Sequence, residues 1–401
     1  MENYYAEEQK IAVAGNYDVI IAGGGIAGIS AALAAKRSGL RVLLIEKSIA
    51  LGGLATLGMI AIYLPLCNGK GEKCVGGIGE ELLRLSIKYG YHNLPAEWIN
   101  GQGGPGVTAR YRTYFSVPEF ILALDELMES EGIDLLFDTV CCRLVMEEKH
   151  CRGIIVENKS GRQYYGAKIF VDTTGDLELV NRAGVSCAPG ENWLTLWAYT
   201  SDLEMMKAAV EKQDVYAGIK LHRLGATALG EDIPAGFPFY TGLEAGEITR
   251  FILDARKLLR RDFESAMGDR KRAVVALPGM PQFRSGRMLN GYYVLRDEDA
   301  SKRFDDSIGC VANFKKPGVV YEIPYRTLIS PAMSNVITAG RSLSATGDAW
   351  VYTKVIPGCA VTGEAAGLAA AIAVANDCGL AEIDVKILQQ DILNAGGILH
   401  I

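Results

Sequence analysis

Histidine is scarce in this 401-residue sequence: four residues, at positions 92, 150, 222 and 400, none paired with a metal-like partner. Each reads as a surface or hydrogen-bonded side chain rather than a ligand. The nine cysteines lack the spacing of an iron–sulfur or zinc site, so no metal is expected, and they read as reduced thiols. There is no basic tract. Lys and Arg total 41 against 47 Asp and Glu, a net charge of −6, which argues against nucleic acid or an anionic membrane surface as the main partner. The opening "MENYYAEEQK" has no apolar core of a signal peptide, so a cytoplasmic location is expected. The most apolar stretch, "CAVTGEAAGLAAAIAVA" from Cys359 to Ala375, is short for a bilayer and contains Glu364; it reads as a buried helix. Internal repeats and low-complexity linkers are also missing, and no pattern fixes an oligomeric state.

What is present describes a globular α/β protein long enough for two or three domains, with 49% hydrophobic and 22% charged residues. "YDVIIA" (Tyr17 to Ala22) reads as a strand buried on both faces, followed by a small-residue helix from Gly25 to Ser38 that Gly39 stops. "RVLLIEK" (Arg41 to Lys47) is a second buried strand, which completes a βαβ unit with a parallel sheet. A glycine-rich, loop-dominated region runs from Gly52 to about Gly106, with helical spacing in Gly79 to Gly90. A helix is expected from Pro118 to Gly132. An antiparallel meander should then return to a buried strand at Ile169 to Asp172. Further on, "EITRFILDARKLLRRDFESAM" is helical, with Arg256, Lys257, Arg260 and Arg261 on a solvated face. "NVITAGR" (Asn335 to Arg341) is a late buried strand.

Gly23, Gly25 and Gly28 form G-x-G-x-x-G between strand and helix. The first allows the tight turn, the second lets backbone approach a pyrophosphate, and the third permits close helix–strand packing. The phosphates would meet free N–H groups at the helix start. Glu46 ends the second strand, where a carboxylate can accept bonds from an adenosine ribose. "GQGGPG" (Gly101 to Gly106) matches the same pattern but follows no strand, and Pro105 would break a helix there, so it is a loop.

Past Glu46, "KSIALGGLATLG" adds a glycine pair, Gly52 and Gly53. This resembles the FAD-binding signature of the glutathione-reductase-like flavoprotein superfamily. "FVDTTGD" (Phe170 to Asp176) and "VITAGRSLSATGDAWVYTKVIPGCAVTGEAAGLAAA" (Val336 to Ala371) resemble its T-G-D turn and its closing strand, glycine and helix. "QFRSGRMLNGYYVLRDEDASKRFDDSI" and "YEIPYRTLIS" extend the likeness to FAD-dependent oxidoreductases related to fumarate-reductase-type flavoproteins. The resemblance covers nearly the whole chain. It implies a Rossmann-like FAD-binding domain, a parallel sheet with a small antiparallel meander, assembled from 1–60, 118–190 and 319–401. An inserted α+β substrate domain would come from 61–117 and 191–318.

The resemblance also implies FAD contacts from Gly23, Gly25, Ile26, Ala27 and Gly28, and from Glu46, Lys47, Gly52, Gly53, Ala55 and Thr56. Later contacts would come from Thr174 and Gly175, from Gly340 and Arg341, and from Gly358, Cys359, Ala360 and Val361, with Cys141 where backbone meets adenine. N–H groups near Gly358 to Val361 would stabilise negative charge on reduced flavin. Relatives often carry histidine at the position of Gly347 and arginine at that of Lys354, so that histidine's role does not carry over.

Disulfide reductases of this superfamily place Cys-x4-Cys after the glycine pair. Here the first pair is Cys67 and Cys74, and a redox disulfide of that kind is not expected. Cys141 and Cys142, adjacent in a strand, should face opposite sides. No second nucleotide-binding βαβ unit is present, so NAD(P)H docks transiently or an electron-transfer protein serves the flavin. Flavin chemistry needs a proton donor or acceptor and often a cation for an anionic substrate. Arg110, Arg112, Arg284, Arg287 and Arg326 are the candidate cations, with Tyr325 or Lys354 handling a proton; each also fits a structural role. The expected activity is hydride transfer between a small organic substrate and flavin N5. The alternatives are a flavin electron-transfer subunit of a heterodisulfide-reductase-like complex, or a non-redox FAD-binding protein.

Overall fold

The computed structural model describes residues 7–227, 230–264 and 270–401. The acidic stretch at residues 1–6 and the end of the expected helix at 265–267 lie outside them.

The elements that position the site are β1 (Ala12–Ala22), α1 (Ile26–Arg37), β2 (Val42–Ile45), α2 (Gly77–Ser86) and α3 (Val117–Glu131). They continue with β3 (Asp134–Leu136), β4 (Val140–Glu147), β5 (His150–Asn158) and β6 (Gly161–Asp172), then β7 (Thr195–Asp202), β8 (Lys220–Gly225), α4 (Ala245–Phe263) and β9 (Arg272–Ala276). β10 (Val336–Thr338) and α5 (Ile356–Asn376) close the series. α3 begins with Pro118 in its first turn and stops at Gly132, whose φ of 64° is left-handed, as the sequence predicts.

One sheet runs in the order β3, β2, β1, β6, with β10 beside the C-terminal half of β6 and β5 then β4 beside its N-terminal half. β1, β2, β3, β6 and β10 are parallel, while β4–β5–β6 is the antiparallel meander. Alternation along β1 divides the interior in two. Val19 and Ile21 face the core that holds α1 and α5; Ile20 and Ala22 face the meander side. Cys141 is buried and Cys142 half-exposed, as neighbours on a strand should be.

Register explains where a ligand must sit. Ala22 pairs with Ile45 and with Asp172, and Asp172 with Thr338, so four parallel strands end at one edge. The glycine loop, Glu46, the "TTGD" turn and Gly340 all follow that edge. The carboxyl ends of a parallel sheet are where α/β folds bind nucleotides.

A second sheet, β8–β7–β9, carries α4 over its own apolar core of Leu194, Leu196, Tyr240, Phe251, Leu259 and Phe283. Arg256, Lys257, Arg260 and Arg261 are exposed on α4. Two features bear on the expected domain limits. The hairpin Ser307–Ala312 with Val320–Pro324 straddles 318/319, and side chains of 61–117 such as Tyr63, Trp98 and Phe115 share the core of α1 and α5.

α5 is long and apolar enough to cross a membrane by length and composition, and most of it is buried against α1 and α2. Gly363 and Gly367 let it approach closely: a Cβ on either would collide with the α1 backbone. Glu364 is buried in this helix. Its Oε2 accepts the Ile78 N–H of α2 at 3.3 Å, while Oε1 is sealed from solvent without a partner. Burial pushes its carboxyl up to about 8. The unfolded chain releases this proton above about pH 4.3, so the folding penalty grows from there to about pH 8 and then stays constant. Glu364→Gln should therefore raise stability at pH 8 by on the order of 1–3 kcal/mol and much less at pH 5. Thermal melts at the two pH values check this; an equal or lower melting point at pH 8 would count against it.

Candidate functional site

The glycine loop has the geometry each glycine was expected to supply. Gly23 adopts φ 107°, a left-handed-side conformation that side chains resist. A Cβ on Gly28 would collide with the Gly23 carbonyl and press on the Thr173 hydroxyl, whereas a Cβ on Gly25 would meet nothing within 4 Å. The open space in front of Gly25 is where a pyrophosphate would lie. Helix α1 starts there, its first internal bond being Ile29 N–H to the Gly25 carbonyl at 2.9 Å. The N–H groups of Ile26, Ala27 and Gly28 therefore have no acceptor within the helix.

Glu46 is buried at the tip of β2, with one carboxylate oxygen accepting Gly24 N–H at 2.7 Å and the other Ser48 N–H at 2.8 Å. Each oxygen keeps a lone pair for a ribose hydroxyl. The glycine pair is tied to the first loop: Gly52 donates to the Gly24 carbonyl at 2.8 Å. Gly53 and Ala55 lie in a short 3-10 turn, and the buried Thr56 spends its hydroxyl on the Leu51 carbonyl.

The "TTGD" turn differs in detail from expectation. Thr174 donates to Asp172 Oδ1 at 2.7 Å and serves its own turn. Thr173, which the motif reading passed over, crosses to the glycine loop and donates to the Ala22 and Gly23 carbonyls at 2.9 and 2.8 Å. Asp176 was also missed. It pairs with Arg341 at 2.7 Å, and the same guanidinium donates to the Gly175 and Phe283 carbonyls. A cleft of about 240 Å³ runs along this seam, lined by Lys47, Asp176, Glu178, Arg182, Arg287 and Arg341 among others. Arg287 belongs to this cleft, donating to the Asp176 carbonyl at 3.2 Å. The Cys141 carbonyl accepts from Arg182 at 3.2 Å.

Gly340, with φ 82°, lies where a Cβ would press on Ala27 and approach the Cys359 sulfur, so the starts of α1 and α5 meet here. The expected donors at Gly358 to Val361 need correcting. Cys359 N–H already bonds the Val355 carbonyl at 2.9 Å, and Ala360 and Val361 continue the helix ladder. Gly358 N–H, preceding the first full turn, is the donor left over among them. Burial pushes the Cys359 thiol up to about 12, which favours its protonated form at neutral pH.

Lys354 stands two residues before α5. Its Nζ donates to Ser285 Oγ at 2.8 Å and lies 5.0 Å from the Trp350 ring centre. Burial first, then the charges of Arg341 and Arg284, push its ammonium down to about 7. Arg284 lies across the same small cavity of about 20 Å³. Its guanidinium sits 4.8 Å from the Trp197 ring centre, and its Nε is sealed from solvent without a partner. Burial, Arg341 and Arg223 lower it to about 9, still charged at neutral pH. Asn192 holds this segment, accepting Arg284 and Ser285 N–H at 2.8 and 2.9 Å and donating to the Ser285 carbonyl at 2.8 Å. Neither Asn192 nor Ser285 carried a signal in the sequence.

The structure thus brings Arg284 and Lys354 together and sends the other candidates elsewhere. Tyr325 is not a site residue: it is buried in the core and donates to the Leu380 carbonyl at 2.9 Å. Arg326 pairs with Asp306 at 2.8 Å, Arg110 reaches the Cys67 carbonyl, and Arg112 is exposed.

Residues 18–228 and 240–392 match the family model described as FAD dependent oxidoreductase. The tRNA uridine 5-carboxymethylaminomethyl modification enzyme MnmG of Bacillus subtilis (strain 168) is 30% identical over 166 residues, covering 40% of this chain and 24% of that enzyme. The chain spans about a quarter of the length of the curated relatives it matches. Among solved structures, p-nitrophenol 4-monooxygenase PnpA of Pseudomonas putida DLL-E4 superposes with a TM-score of 0.52 at 12% identity, covering 94% of this chain and 84% of that one. A flavocytochrome c3 fumarate reductase in its open conformation gives 0.41 at 16% identity, covering 90% and 78%.

Proposed function

This chain belongs to the FAD dependent oxidoreductase family and takes FAD as its cofactor, and on that footing we propose that it moves a hydride between a small organic substrate and flavin N5, with Lys354 exchanging the accompanying proton. The observation that carries this reading is Lys354 itself: an enclosed amine whose pKa is brought to about 7, at the start of α5 and on the wall of a cavity. A group poised near the working pH is what proton transfer requires.

Bound FAD supplies a two-electron centre whose N5 accepts or returns the hydride. The residues that fit FAD are those of the shared strand edge. The start of α1 would hold the pyrophosphate, Glu46 the ribose, and the positive end of α5 would favour negative charge on the reduced cofactor. In oxidation the substrate would give up a hydride, which bound FAD would be there to accept, and a proton, which the Lys354 amine would take. Reduction runs the same path from the ammonium form. A separate donor or acceptor, either a transiently docking nicotinamide nucleotide or an electron-transfer protein, completes the cycle.

The test is anaerobic. The purified protein should be yellow, release FAD on denaturation, and bleach when mixed with its substrate from a panel of hydroxy acids and alcohols. Bleaching by a small molecule alone supports the proposal. Bleaching only when a second redox protein is added would replace it with the electron-transfer reading.

A further inference from the structure

We infer that the cavity between Arg284 and Lys354 is a carboxylate subsite, and that the substrate of the proposed hydride transfer is an organic acid bound there as its anion. The inference rests on the reading of the previous subsection for the identity of the substrate, but its geometry stands separately.

Two cations line this cavity, and no carboxylate lies within 4.0 Å of either among the described residues. Arg341, the third cation nearby, has its own partner in Asp176 at 2.7 Å. Arg284 has only the face of Trp197, which it shares with Arg223, 4.2 Å from the same ring. Its Nε is closed off and unbonded. Lys354 has only the neutral Ser285 hydroxyl and the Trp350 ring. An enclosed charge without a counterion is costly, and proteins keep such charges where a ligand supplies the missing one.

Arg284 is also built in rather than incidental. Asn192, itself buried, fixes the backbone on both sides of it with three bonds of 2.8–2.9 Å. A guanidinium without a carboxylate partner, lining the same cavity as an ammonium, suits the two oxygens of a carboxylate. The cavity as it stands has room for about one water. Glu191, exposed, and Trp193, half-buried, complete its wall, and a ligand larger than water would have to displace them. Glu191 pairs with neither cation, and its charge on the wall would disfavour dianions.

A consequence follows for protons. The groups around Lys354 are Arg284, Arg341 with its partner Asp176, Arg223 behind Arg284, the Cys359 thiol bonded to the Lys354 carbonyl, and Glu191 on the cavity wall. A bound anion adds the one negative charge this group lacks, so it favours the ammonium form, the form that gives up a proton when the bound acid is reduced, and it makes reduction the favoured direction. Anion binding should therefore draw a proton from solution, on the order of half a proton per anion at pH 7 and nearly one at pH 8.

The experiment titrates the FAD-loaded protein with benzoate and acetate, against benzamide and acetamide as neutral counterparts, at constant ionic strength. Tryptophan fluorescence reads binding, and calorimetry in buffers of different ionisation enthalpy reads proton uptake. The expected result is saturable binding of both acids, little binding of the amides, and proton uptake that rises from pH 7 to pH 8. Arg284→Met should weaken benzoate about tenfold or more, and Arg284→Lys less, with the flavin spectrum retained in both. Lys354→Met should abolish the proton uptake. Equal affinity for acid and amide, or sulfate binding as tightly as the acids, would overturn the carboxylate assignment. Neither readout needs turnover. If the acids bind in this way but no organic acid bleaches the oxidised flavin or reoxidises the reduced one, the hydride-transfer reading fails and the subsite stands. If a neutral substrate bleaches it and no acid binds, the reverse holds.

Discussion

FAD-loaded Lys354→Met should keep its yellow colour and lose on the order of 10²–10⁴-fold in turnover. Methionine preserves the stem against Trp350 and removes the ammonium, so the substitution deletes proton exchange without opening a large void. The pH profile separates this role from a structural one. With its pKa near 7, Lys354 should give wild-type kcat/KM an inflection there. If the substrate is oxidised, the amine form is needed and the rate rises through pH 7; if it is reduced, the rate falls. Lys354→Arg keeps a positive charge that cannot be released at neutral pH. It should retain anion binding, lose turnover, and flatten that limb. A variant that merely melts lower, with the inflection intact, would mean that Lys354 is a packing residue.

How much of this could be read before folding depends on whether each signal is local. G-x-G-x-x-G with its strand, helix and terminal acid is a run of neighbours whose spacing states the geometry, so Gly23, Gly25, Gly28 and Glu46 stand where expected. The late strand was legible because a buried β-strand writes its burial into consecutive residues, and the meander because its strand-like runs are separated by turns. The Arg284–Lys354 cavity is the opposite case. Its parts come from residues 191–193, 195, 226–227, 284–285 and 354, and only the fold brings them together. An arginine looks the same in sequence whether it is paired with Asp306, as Arg326 is, or left without a carboxylate, as Arg284 is. Tyr325, for which the sequence allows a proton-handling or a structural role, is decided by the fold on the same ground. A tyrosine beside an arginine suggests chemistry, yet the 3-10 turn after Pro324 aims its ring into the core. Thr173 and Thr174 show the limit at single-residue scale. The strand end decides which hydroxyl crosses to the glycine loop, and the motif letters do not.

The two inner glycines of the loop allow cofactor approach and packing to be tested apart. Gly25→Ala puts a methyl group into open space, at a residue whose φ of −71° suits alanine. The apoprotein should keep its stability within about 0.5 kcal/mol. That methyl stands where the pyrophosphate must come close to backbone, so FAD affinity should fall tenfold or more. Gly28→Ala is the contrary case. Its methyl collides with the Gly23 carbonyl and crowds the Thr173 hydroxyl that ties β6 to the loop. These are backbone and buried atoms with little room to yield, so the apoprotein itself should lose at least about 1–3 kcal/mol, as overpacked cores do. FAD binding then falls because α1 no longer seats against β1. Thermal melts of the apoproteins with FAD titrations give the contrast directly. Equal destabilisation in both variants would mean that the space before Gly25 is part of the packed fold and not the path of a cofactor.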